Sequence, residues 1–108
     1  NLEGAKFDYA TSDQNANFEN AQLSRASFKN AGFVQASFKN ADLKDADFTN
    51  ADIYDTNFTN ANLFNTNFKD VGMNVKKCIF KGANFSEAIN ISEMDLKDLK
   101  KQNKTFSR

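Results

Sequence analysis

Five aspartates near the middle of the chain are the residues best suited to do chemistry. They are Asp42, Asp45, Asp47, Asp52 and Asp55, with only Lys44 among them. Paired carboxylates can act as general acid and base in an enzyme, but a structural role is favoured for Asp42, Asp47 and Asp52. For the five together a solvated face is the default interpretation, and a contact surface for a basic partner is the sharper alternative. The chain has no His, which excludes an imidazole base and a His-ligated zinc site.

The other reactive residue types give no pattern of a catalytic centre. A single cysteine, Cys78, cannot form an internal disulfide or a thiolate metal cluster. It stands two places before Phe80, where a small buried residue is expected, so we expect an inert thiol. The four glycines are not spaced as a phosphate loop. We therefore predict no enzyme, no catalytic residue, no cofactor and no metal.

The elements that position these residues follow a period of five. From Ala16 to Asp70 the chain divides into eleven consecutive pentads, each with Ala or Thr two places before a large apolar residue. This period belongs to neither an amphipathic helix nor a strand. Both apolar positions can face a core only if each pentad forms one side of a coil and ends in a turn.

A second period of twenty residues runs through the large positions. Its columns are Phe18, Phe38 and Phe58; Leu23, Leu43 and Leu63; Phe28, Phe48 and Phe68; and Phe33, Ile53 and Met73. Four pentads per coil would stack these residues above one another, with the two Phe columns facing each other across a dense core. If one residue near 13–15 and two near 75–77 are treated as insertions and left out of the count, Leu2, Phe7 and Phe80 fall into the same columns.

The pentads resemble the pentapeptide-repeat family, whose motif is a small residue, Asp or Asn, Leu or Phe, and two variable residues. Residues 41–43, 46–48, 51–53 and 61–63 fit this motif closely. The resemblance covers roughly residues 1–90 and implies an all-β fold, a right-handed quadrilateral β-helix of about four and a half coils. In that fold the Asp residues at 42, 47 and 52 are expected to bond backbone groups at the corners. Asn30 and Asn50 are expected to stack as turn amides.

A different pattern begins after Asn90. Ser92 is a helix N-cap candidate, and Ile91 with Leu96 has the spacing of a hydrophobic staple. We predict a β-helix domain over 1–91, a capping α-helix over 92–101 and a flexible tail over 102–108. The chain also begins inside a pentad, so we expect that upstream residues have been removed. An exposed first coil that stacks on another copy, giving a homo-oligomer, is the alternative.

Fourteen cationic and fourteen acidic side chains cancel, but they are unevenly distributed. Residues 1–75 carry a net charge of −4 and residues 76–108 carry +4. No basic stripe follows the repeats and no apolar run could span a bilayer. We therefore expect neither direct nucleic-acid binding nor a membrane partner. A cytoplasmic location is favoured, and the scarcity of cysteine also fits a periplasm or an organelle lumen.

Residues just after the large position point outward and define a candidate partner-binding surface. Val34 lies beneath Tyr54 there, Phe64 projects from the Leu side, and the five aspartates named above complete the set. Single exposed apolar residues are common, so a merely solvated surface is the competing interpretation. Our first hypothesis is a non-enzymatic structural module that presents a rigid surface to a protein partner.

The second hypothesis comes from the family resemblance. Some members resemble B-form DNA in width and negative charge, bind DNA gyrase and confer quinolone resistance. A mimic about 20 Å long would need on the order of ten net negative charges, since DNA carries one per roughly 1.7 Å. The repeats here carry far fewer, and Lys29, Lys39, Lys44 and Lys69 interrupt their faces. The charge pattern therefore disfavours this kind of mimicry.

Overall fold

The repeating unit of the fold is a short extended segment followed by a tight turn. In the pentad around Leu43, the Ala46 N–H donates to the Leu43 carbonyl oxygen at 2.9 Å. The intervening Asp45 has a φ of 62°, the left-handed value that a type II turn requires at its third residue. Asn and Asp tolerate this conformation better than other residues with a side chain. Their abundance at the ends of the pentads follows from this requirement.

Neighbouring coils pair in parallel through the extended segments. The computed structural model describes residues 1–12, 15–71, 78–89, 91, 97 and 101. Its two strands are β1, Thr11–Ser12, and β2, Gly32–Phe33, which pair with Thr11 opposite Gly32. The other described pairings are isolated parallel bridges. Each pentad contains a turn, so its extended segment is too short to form a longer strand. The fold is all-β although few of its described residues belong to β1 and β2.

The register of the bridges confirms the period of twenty and both insertions. Ser37 pairs with Asn57 and Asp47 with Asn67, twenty residues apart. The separation becomes 21 residues between Lys6 and Ser27, and 22 between Asn57 and Ile79. One extra residue therefore lies between residues 12 and 17 and two lie between residues 67 and 79, in agreement with the sequence, and the columns continue beyond both insertions.

Two columns of stacked phenylalanines fill the core. The rings of Phe38 and Phe58 stack at 5.3 Å, and those of Phe28 and Phe48 stack at 4.8 Å. The columns meet edge to face, with the centroids of Phe38 and Phe48 5.8 Å apart and their planes at 86°. Leu and Ala side chains close the remaining space, and from Leu23 to Leu63 they are almost fully buried. This alternation of large and small side chains gives the dense packing that a narrow core requires.

Most of the predicted C-terminal helix lies outside the described residues. Within 92–101, Lys97 and Lys101 are described, and both have helical backbone and exposed side chains. The extent of the helix and the division into domains stay predictions, and residues 102–108 lie outside the described part. Within the described residues, no helix is long and apolar enough to cross a membrane.

Candidate partner surface

The four sides of the coil share one backbone geometry and differ in the side chains that they expose. We number them by their central residues. The first has Phe18, Phe38 and Phe58; the second Leu23, Leu43 and Leu63; the third Phe28, Phe48 and Phe68; the fourth Phe33 and Ile53. The second and fourth sides are not neighbours, because the third and first lie between them. Residues on these two sides cannot share one flat contact surface.

The polar residue before each central residue is tied to its own backbone. Asp42, Asp47 and Asp52 each accept a hydrogen bond from the N–H two residues later, at 3.1, 2.8 and 3.3 Å. These are Asx-type turns, in which a side chain replaces a backbone acceptor. The prediction that these aspartates bond the backbone at the corners is confirmed. In the described part of the chain, no three His, Cys, Asp or Glu residues are grouped to hold a metal ion.

Amides and carboxylates also bond between coils. The Asn50 Nδ2 donates to the Asn30 Oδ1 at 2.6 Å, and the Asn65 Nδ2 donates to the Asp45 Oδ1 at 2.8 Å. The predicted stacking of Asn30 and Asn50 is confirmed. The side chains at the corners are therefore engaged in hydrogen bonds within the fold. The residue just after each central residue is the main position whose side chain varies on the outer surface.

The second side carries Asp42, Asp45 and Phe64, three of the residues predicted to contact a partner. Lys44 lies between the aspartates in sequence, and its Nζ is 5.8 Å from the centre of the Phe64 ring. This is within the range of a cation–π interaction. Phe64 itself is half-buried. The Phe64 ring therefore already interacts with a cation, Lys44, of the same side.

The third side carries Asp47, which is also compensated. Its Oδ2 lies 3.8 Å from the Lys29 Nζ, on the coil below. Lys6 and Lys69 belong to the same side. The five aspartates therefore surround one coil, across three sides, and do not form a single acidic patch.

The fourth side combines Val34, Tyr54, Asp52 and Asp55. Tyr54 follows Val34 by one coil and is 37% exposed, Asp52 is exposed, and Val34 and Asp55 are half-buried. Among its described residues, 10–12, 31–35 and 51–55, there is no Lys or Arg. Neither aspartate forms an ion pair with any described residue. This side is where the structure brings Val34, Tyr54, Asp52 and Asp55 together, with no cation among the residues that it describes there.

Tyr9 is a surface residue that the sequence reasoning missed. It occupies the corner between the third and fourth sides, one coil before Val34, and is 74% exposed. Its φ is 64°, an outlying conformation for a bulky residue. The sequence contained an indication, because Tyr stands where most pentads have Asn, Asp or Gly.

Comparison with known proteins places this geometry among repeat proteins. The family model described as the pentapeptide repeat region matches residues 12–75. A solved pentapeptide repeat protein from the Arabidopsis thaliana thylakoid lumen is 29% identical, with a TM-score of 0.64 over 94% of this chain and 74% of that one. QnrB1, a plasmid-mediated fluoroquinolone resistance protein, is 20% identical with a TM-score of 0.55, over 81% of this chain and 61% of its own. At that identity the likeness concerns the fold alone. Among curated proteins, none matches this sequence.

Proposed function

Because the chain belongs to the pentapeptide-repeat family, we propose that it is a non-enzymatic interaction module whose fourth side binds a protein partner. The observation that carries this proposal is the composition of that side. Val34 and Tyr54 offer apolar contact area next to Asp52 and Asp55, whose charges have no counterion among the described residues. Aromatic residues are enriched at protein interfaces, and charged groups at an interface help to select the partner.

The regular backbone supports a role as a rigid support for such a surface. The same turn closes each pentad from residue 16 to residue 70, with φ between 54° at Asp70 and 63° at Gln35. Since the backbone is alike on every side, differences in binding must come from the outward side chains. A surface held on rigid elements loses little conformational entropy when a partner binds.

The finer features of the fold belong to the same proposal. We take the β-helix to be right-handed, with about four and a half coils and a capping helix over 92–101, as the family resemblance implies. The proposed partner is a protein, and neither a nucleic acid nor a membrane is proposed. Stacking of two copies end to end stays an alternative for the oligomeric state.

Gyrase binding by DNA mimicry is the second candidate, and the charge distribution speaks against it. Lys39 and Lys81 belong to the first side, Lys44 to the second, and Lys29 and Lys69 to the third. A mimic of the DNA backbone needs continuous negative charge along its faces. A gyrase supercoiling assay separates the two functions, because protection or inhibition at micromolar protein would favour the mimic.

Site-specific photocrosslinking tests the proposed function by comparing the fourth side with the first side. Benzoylphenylalanine replaces Tyr54 on the fourth side in one variant and Thr59, at the equivalent position of the first side, in the other. In cells that make the protein, we expect a discrete protein adduct from position 54 and none from position 59. Equal adducts from both positions, or an adduct from 59 alone, would contradict the proposal.

A further inference from the structure

We draw no further inference here: the strongest candidate, the exposed Ile79 and Ile89 side chains of the last described coil, carries nothing because the two residues lie on opposite sides of the coil, the first and the third, and nothing in the described part of the chain shows what covers them.

Discussion

The Thr66 Oγ1 donates a 2.8 Å hydrogen bond to the carbonyl oxygen of Leu43, a residue of the coil below. Two other residues in the small position of a pentad behave alike. The Thr56 Oγ1 bonds the Phe33 carbonyl oxygen at 3.1 Å, and the Cys78 Sγ lies 3.2 Å from that of Ile53. A donor is tolerated in place of alanine at these positions because each faces a carbonyl oxygen that can accept one more hydrogen bond.

Removing this donor should cost stability without changing size. Thr66→Val keeps the shape of the side chain but loses the hydrogen bond, so we expect a loss of about 1 kcal/mol in the free energy of unfolding. Urea denaturation measures it. The control is Thr11→Val, at an exposed position, where the change should stay within about 0.5 kcal/mol. Equal effects in the two variants would mean that the bond to Leu43 does not contribute.

The Cys78 thiol should be unreactive in the native protein. The residue is 2% exposed and its Sγ bonds the Ile53 carbonyl, so a reagent reaches it only after the core opens. We expect labelling by a maleimide to be on the order of 100-fold slower in buffer than in denaturant. Rapid labelling of the folded protein would contradict the buried position of Cys78 and would support a role as a reactive thiol.

The left-handed turn position should prefer asparagine wherever it occurs. Gln35 has a φ of 63° and Asn40, one pentad later, has 59°. Gln35→Asn is expected to stabilise the fold by about 0.5–1 kcal/mol, and Asn40→Gln to destabilise it by a similar amount. Thermal unfolding of both variants gives the signs. Two changes of the same sign would show that contacts other than the backbone conformation decide the preference.

Central and outward residues should differ sharply in their effect on stability. Phe38 is fully buried between Phe18 and Phe58, so Phe38→Ala should cost about 3–5 kcal/mol. Lys39→Ala, at the next residue on the outer surface, should cost less than about 0.5 kcal/mol. Comparable losses in denaturant midpoints would show that the inward and outward assignments are wrong.

Much of the fold could be predicted because the repeat constrains it twice. The period of five placed Phe38 inward and Lys39 outward, and the period of twenty placed Phe38 beneath Phe58. Both rules express packing, since a large residue on the wrong side would leave a void in a narrow core. The positions of the two insertions followed from the same columns, and Phe80 does stack on Phe58 at 5.2 Å.

The surface could not be predicted as well, because its contacts depend on which coil a neighbour occupies. The five aspartates belong to one coil, as the sequence indicates, but the turns distribute them over three sides. The Lys44 side chain reaches forward by one coil to Phe64, a contact that no pentad rule contains. Tyr9 was not predicted as a surface contact because the corner position usually holds a residue, such as Asn or Asp, that favours the turn conformation.

A protein partner is expected to contact the fourth side. The most direct measurement is the affinity of the crosslinked partner for the variants Tyr54→Arg and Thr59→Arg, which place the same bulky cation at equivalent positions of adjacent sides. We expect Tyr54→Arg to abolish binding, because it replaces the aromatic contact residue of the fourth side with a bulky cation. Thr59→Arg should leave affinity within about twofold. Full binding by Tyr54→Arg, or loss of binding in Thr59→Arg alone, would contradict the claim.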